Sequence, residues 1–359
     1  MAGDEWISDN RQVRGGVDAI SIEVTGAAAE TGTVAEFGAM VSRQVGRAVP
    51  HDGYMFTGLD PLTGALCLFT RHNAYSSPAA RRLLTGEEVE ADPFPFEYLV
   101  AGPRRVAVVD AESPRHRHSA RAHEVMVGEG IRSELRIALV DGRSAWGALT
   151  LLRGTGSRPF TAREAACAER LAGALVDSLR SFVTARPLRS VRSLRPPGIV
   201  VLRPDGSSAS ATESAKQWRA DFTGGPVRAC AGEFDSLLWT LSYLPRPHGS
   251  VALARVPLAS GWVALHAQPL QGAGSHAAPD MMAVTIRPTT GTELLPAMAA
   301  WHGLTPREQT VVERALEGMP SKQIARRLDV SPHTVNDHLK AIYRKTGVSA
   351  REELIARLA

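Results

Sequence analysis

Residues 305–347 read TPREQTVVERALEGMPSKQIARRLDVSPHTVNDHLKAIYRKTG. Three helices and two turns are written into this stretch. Thr305 stands where a helix N-cap needs a hydroxyl, Pro306 suits the first helical position, and Glu308 completes a capping box. Val311, Val312, Ala315 and Leu316 form one apolar stripe, and Gly318 supplies the left-handed residue that ends a helix. Ser321 is expected to cap a second, short helix whose Ile324, Ala325 and Leu328 face inward. The tight turn Asp329-Val330-Ser331 follows. Ser331 caps a third helix, Pro332 opens it, and Gly347 stops it after Thr346. A fourth helix is expected from Ala350 to the chain end, with Leu354, Ile355 and Leu358 apolar. Residues 304–359 are thus predicted to be an all-α four-helix domain.

Two helices joined by a three- or four-residue turn are the skeleton of a helix-turn-helix. The third helix tests this at 100° per residue. Val335, Leu339, Ile342 and Thr346 gather on one side, while His333, Asp337, Lys340 and Arg344 lie opposite with Asn336 at the flank. A helix covered on both sides would not keep such a polar outer face. A helix offered to the major groove of double-stranded DNA would, because base edges present donors and acceptors there. The N-terminal part enters deepest, so His333, Asn336, Asp337 and Lys340 are the candidate base readers. Lys322, Thr334, His338 and Arg344 are the candidate phosphate contacts.

With Lys345-Thr346-Gly347-Val348 and Arg351-Glu352-Glu353 added, this stretch resembles the LuxR-type DNA-binding domain, over about one sixth of the chain. The resemblance implies a third helix that reads the major groove and a fourth that supports dimer contacts. Three positions depart from the family pattern. Asn336 stands where many members carry Lys, keeping hydrogen bonding without charge. Asp337 puts an acid in the groove, able to accept from cytosine or to orient a neighbour. Met319 replaces a commoner Leu.

Charge placement agrees. The chain holds 41 Lys+Arg against 37 Asp+Glu, a net +4. Ten basic and seven acidic residues fall within 304–359, so three of the four surplus charges sit there.

Outward from this end, 359 residues at roughly 150 per domain leave room for two further domains. Residues 1–30 are polar and Gly-rich and are expected to form a flexible arm. Over 31–183 the order is helix, strands Gly53–Thr57 and Ala65–Thr70, a helix at Phe96–Val100, a strand Val106–Val109 and a helical stretch at Ala120–Val127. A hairpin over Ser133–Val140 and Ser144–Leu152 and a long helix capped by Thr161 and Glu164 complete it. With Gly130-Ile131-Arg132-Ser133-Glu134-Leu135-Arg136-Ile137, this α+β order resembles a GAF sensor domain. Residues 184–197 carry four Arg and three Pro and are expected to be a solvated basic linker. Over 198–290 a strand, a turn, helices carrying Trp218 and Phe234, and three strands resemble a small α+β PAS-type fold. Residues 291–303 are expected to be a connector. The expected fold class is multidomain: GAF-like sensor, PAS-like domain, all-α helix-turn-helix domain.

Several classes are excluded. No phosphate-binding loop, HExxH or GxSxG pattern occurs, and no acid set marks a phosphorylatable receiver domain. No catalytic residue, cofactor or metal ligand is assigned. His116, His118 and His123 cluster with Arg115, Arg117 and Arg121, which fits a solvated loop better than a metal site. Tyr54, Phe56, Phe69, Phe94, Phe96 and Tyr98 fit core packing better than one ligand pocket. Cys67, Cys167 and Cys230 form no disulfide or zinc pattern and point to a reducing cytoplasm. The N-terminus lacks a signal-peptide pattern and no apolar run spans a membrane. The function expected is a bacterial DNA-binding transcriptional regulator, not an enzyme, acting as a homodimer. Its front modules sense a small molecule or partner, or serve as ligand-free scaffolds, and RNA polymerase is a candidate partner. An enzyme fused to a DNA-targeting domain is the minor alternative.

Overall fold

The computed structural model describes residues 16–83, 92–116, 119, 121–142, 144–191, 195–223, 231–243, 252–270 and 281–358. These divide into two compact units. The first comprises residues 1–59, 66–182 and 226–248, and the second 60–65, 183–225 and 249–359.

The first unit is built on β1 (Gly53–Leu59), β2 (Leu66–His72), β3 (Val106–Asp110), β4 (Ile131–Asp141) and β5 (Ser144–Gly154). All pairs are antiparallel, in the order β2-β1-β5-β4-β3. Helices α1 (residues 16–28), α2 (Val34–Val45) and α5 (Ala162–Thr184) belong to this unit. Thr33 and Glu36 cap α2 with the reciprocal bonds of a capping box. Phe37 of α2 stacks on Phe182 of α5 at 4.5 Å and meets Phe56 of β1 edge-on at 5.0 Å, all three fully buried. Helix α1 rests on α5, where the Ser178 hydroxyl donates to Val24 O at 3.0 Å.

The expected arm over residues 1–30 is corrected at 16–28. Residues 16–28 are helical, because Val17, Ile20, Val24 and Ala28 recur at three- and four-residue steps and all are buried. Residues 1–15 lie outside the described residues.

Side chains of the opposite sheet parity meet α3 (Ser77–Arg82), α4 (Phe96–Ala101) and a π-helical turn (Arg121–Met126). A charged network sits here. Glu134 of β4 is 0% exposed and accepts from the Tyr75 hydroxyl at 2.7 Å and from Arg136 Nη2 at 2.6 Å. Arg136 Nη1 reaches both oxygens of Asp92 at 2.8 Å and Phe94 O at 2.7 Å. Two carboxylates thus hold one buried guanidinium, whose pKa rises further above its ordinary range. Burial alone would lower it, but Glu134 and Asp92 outweigh that.

Helix α7 (Ala231–Tyr243) also belongs to the first unit, although its sequence neighbours suggested the 198–290 domain. Phe234, Leu237, Leu238, Trp239 and Leu241 are buried, and α7 packs on edge strand β2. Local periodicity predicts the helix but not which sheet receives it.

The second unit repeats the plan. β6 (Gly198–Leu202), β7 (Ser208–Ala211), β8 (Leu253–Leu258), β9 (Gly261–Pro269) and β10 (Met282–Pro288) are antiparallel in the order β7-β6-β10-β9-β8. Numbered within each sheet, both orders are 2-1-5-4-3. Helix α6 (Glu213–Thr223) approaches β6 so closely that a Cβ on Gly198 would lie 2.8 Å from Ala215 Cα, which explains the glycine. β7 escapes sequence analysis because Ser208–Ala211 is a polar edge strand without alternation.

The basic linker is also corrected in part. Trp262 N donates to Arg189 O at 2.9 Å and Val191 N to Trp262 O at 3.1 Å, while Leu188 and Val191 are buried. Residues 188–191 therefore run along β9 as an added ladder segment. Backbone pairing sets their position, and the side-chain charge does not reveal it. Residues 192–194 lie outside the described residues.

The expected connector is a helix, α8 (Gly291–Trp301). Thr290 and Glu293 form its capping box, and Leu294, Leu295, Ala297, Met298 and Trp301 are buried. The four C-terminal helices follow: α9 (Pro306–Leu316), α10 (Ser321–Leu328), α11 (Pro332–Thr346) and α12 (Arg351–Leu358). Among the described residues, no helix is long and apolar enough to cross a membrane.

Candidate nucleic-acid interface

The C-terminal helices close on one small core. Val311, Val312 and Ala315 of α9, Ile324 and Ala325 of α10, Val335, Leu339 and Ile342 of α11, and Leu354 and Leu358 of α12 are all buried. Their helix ends are satisfied as the sequence anticipates, with one exception. Thr305 accepts from Glu308 N, and Ser331 from Thr334 N at 3.0 Å. Gly347 takes φ 66°. Ser321, by contrast, is the first helical residue of α10. Pro320 is the N-cap and no side-chain cap bond forms there, because its ring offers no acceptor to the free amides of α10. Asp329 turns the chain with φ 53°, a left-handed conformation that Asp tolerates better than most residues.

Polar clamps orient these helices. Arg307 Nη2 donates to Leu328 O at 2.6 Å, tying α9 to the end of α10. Arg351 Nη2 donates to Met319 O and, at 3.3 Å, to Ala315 O, so α12 neutralises carbonyls at the end of α9. Lys345 Nζ reaches Glu308 Oε2 at 2.6 Å. Burial opposes ionisation of Glu308, but the Lys345 ammonium and the Thr305 amide outweigh it and hold the carboxyl below its usual range. His302 Nδ1 lies 2.9 Å from Lys345 O, joining the end of α8 to α11. These clamps are absent from the sequence-derived site, and nothing in local spacing marks them. Each joins residues 21 to 43 positions apart.

α11 buries Val335, Leu339, Ile342 and Thr346 and leaves its other face open. His333 and Lys340 keep 83% and 74% of their side chains exposed, and Asp337 keeps 54%. Asn336 and Arg344 are exposed too, as is Lys322 near the start of α10. Asp337 lies between its neighbours, 3.5 Å from His333 Nε2 and 3.5 Å from Lys340 Nζ. Thr334 and His338 are half-buried, and the Thr334 hydroxyl is engaged with Ser331 Oγ at 2.9 Å. Arg326 and Arg327 add exposed charge on α10.

One helix therefore presents an imidazole, an amide, a carboxylate and an ammonium to solvent. Such groups can pair with base edges, and flanking cations can meet phosphates.

The other clusters singled out in the sequence lie apart from this face. Among the described residues, no group of three or more His, Cys, Asp and Glu side chains is placed to hold a metal ion. His118 and the side chain of His123 lie outside the described residues, while His116 Nδ1 sits 3.2 Å from the Asp110 backbone. Four of the six aromatics fall in separate surroundings. Phe56 of β1 meets Phe37 of α2 edge-on, Phe94 and Phe96 pack against Leu99 on the opposite face, and Tyr98 is exposed.

Comparison with known proteins adds the family. Residues 302–358 match the model described as bacterial regulatory proteins, luxR family. A putative HTH-type transcriptional regulator of Mycobacterium tuberculosis is 46% identical over 59 residues, 16% of this chain and 7% of that protein. The monoamine regulon transcriptional regulator of Klebsiella aerogenes is 46% identical over 54 residues, 15% of this chain and 24% of that one. The matched segment thus spans under a quarter of either relative. Structural neighbours include the N-acylhomoserine lactone dependent LuxR family factor CepR2 of Burkholderia cenocepacia, with TM-score 0.35, 18% identity and coverage of 46% of this chain and 96% of that one. They also include the GAF domain of a cyanobacterial phytochrome, with TM-score 0.31, 18% identity and coverage of 45% and 95%. The sequence match, the capped helices and the open polar face of α11 agree: residues 302–358 are a helix-turn-helix domain of the luxR family of bacterial regulatory proteins.

Proposed function

We propose that the protein is a sequence-specific DNA-binding transcriptional regulator whose N-terminal sensor-like modules control dimerisation or DNA binding in response to a small molecule or a partner. The observation that carries this is the exposed polar face of α11 on a clamped helix-turn-helix core. His333, Asn336, Asp337 and Lys340 read bases in this scheme, and Lys322, Thr334, His338 and Arg344 meet phosphates. The protein binds as a homodimer to paired half-sites about one helical turn apart. It works in the cytoplasm, with RNA polymerase as a further partner at a promoter.

The test is gel shift of the full chain on genomic fragments across a salt series. Binding that weakens steeply with salt and selects a subset of fragments is expected. Salt-sensitive binding without selection, or none, refutes the proposal.

One observation favours the reading in which the N-terminal modules are ligand-free scaffolds. The face of the first sheet carrying Glu134 and Arg136 is filled by side chains that satisfy one another. Native mass spectrometry of protein purified from its cells separates the two. A co-purifying small molecule supports the sensor reading, and a bare protomer or dimer supports the scaffold.

A further inference from the structure

The second unit contains one short segment from far away in sequence. Residues 60–65, the loop between β1 and β2, are part of it. This loop lies against β8, the edge strand of the second sheet. An edge strand leaves every second N–H and C=O unpaired. On β8 the residues whose backbone groups point outward are Leu253, Arg255 and Pro257, and the loop bonds one group each of the first two. Asp60 Oδ2 accepts from Arg255 N at 3.0 Å, and the Thr63 hydroxyl donates to Leu253 O at 2.7 Å. Pro257 shares their parity, so its missing N–H costs no ladder bond.

Asp60 is 1% exposed and its remaining valences are filled. Oδ1 accepts from Leu62 N at 2.9 Å, which shapes the loop. Oδ2 also accepts from Arg255 Nη1 at 2.8 Å. The same guanidinium reaches a second element, because Arg255 Nε donates to Glu293 O, in the first turn of α8, at 2.6 Å. α8 leads through Leu304 N, bonded to Ala299 O at 2.7 Å, and through His302 on Lys345 O, into the helix-turn-helix domain. At its other end Gly291 passes so close to α12 that a Cβ would lie 2.7 Å from Leu358 O. One arginine therefore joins the β1–β2 loop to the helix against which the DNA-binding domain is set.

We infer that the Asp60–Arg255 clasp is a transmission element. It couples the β1–β2 loop to α8, so that a change in the loop alters the freedom of α8 and of the helix-turn-helix domain. Asp60 and Arg255 act as positioning residues. Neither touches the DNA-reading face. The inference rests on the regulator reading only for its biological consequence, because the coupling itself is measurable without DNA.

The experiment is hydrogen exchange of the full chain, without DNA, for wild type, Asp60→Asn and Arg255→Lys. Asn keeps the Oδ1 acceptor for the loop and removes the charge facing Arg255. Lys keeps a cation for Asp60 and removes the Nε bond to Glu293. Both variants are expected to speed exchange in residues 291–301 by about tenfold or more, the loss of one charge-assisted hydrogen bond, and to leave residues 131–154 within about twofold of wild type. Unchanged exchange at 291–301 in either variant overturns the coupling. A rise of equal size in 131–154 for both variants also overturns it, because the residues would then support the whole fold and not a route. Gel shift of the wild-type chain, run in parallel, reports on the regulator reading alone, so the two failures are distinct.

Discussion

The cap of α8 makes a test with a defined pH signature. Glu293 accepts from Arg287 Nη1 at 2.8 Å, and from Thr290 N at 3.0 Å. The Arg287 hydrogen bonds, with the capping amide in support, lower its pKa from 4.5 to about 2. At about 1.36 kcal/mol per unit, a shift of this size is worth at most roughly 3 kcal/mol. The two side chains keep 27% and 32% of their surface exposed, so screening reduces this to about 1–2 kcal/mol. Glu293→Gln retains an oxygen for the Thr290 amide and removes the charge facing Arg287. The folded pKa is depressed, so the stabilisation is present above the unfolded value near 4.5 and is lost as pH falls toward 2. Hydrogen exchange of the α8 amides, corrected for intrinsic rates, should show the variant opening about 5–30-fold more readily at pH 7. That gap should close between pH 4.5 and about 2. A gap of the same size at pH 2.5, or none at pH 7, would refute the electrostatic account of the cap.

Three further outcomes are expected. Lys340→Ala should leave stability unchanged, since the side chain is mostly exposed, and should weaken DNA binding by about 1–3 kcal/mol with relaxed selectivity if it reads a base. A uniform loss with a salt slope smaller by about 1 would reassign it to phosphate. Gly347→Ala meets no atom within 4 Å, so its cost is the left-handed backbone alone, about 1 kcal/mol in a thermal melt of the C-terminal transition. Arg136→Met leaves the Glu134 and Asp92 carboxylates without their guanidinium and should destabilise the first unit by about 3–5 kcal/mol in urea. A loss under about 1 kcal/mol would show that the network relaxes.

The helix-turn-helix was legible because its determinants are local. Thr305 and Glu308, Ser331 and Thr334, and Gly347 lie within a turn of the ends they cap. The stripe of Val335, Leu339 and Ile342 follows from helical period alone. α8 and α1 were legible in principle, through Thr290 with Glu293 and through Val17, Ile20 and Val24, but sat in segments whose composition suggested a connector and an arm. β7 was not legible, since a polar edge strand has no buried face to impose alternation.

What the sequence by itself determined is which residues cap, turn and alternate, and therefore the polar outer face of α11. Those choices depend on neighbours three or four positions away. Tertiary structure decided partners. It placed α7 on β2, ran residues 188–191 along β9, gave two sheets one strand order, and set Asp60 against Arg255, 195 positions on. A carboxylate or an edge-strand amide pairs with whatever the fold brings within about 3 Å, and a one-dimensional pattern carries no record of that distance.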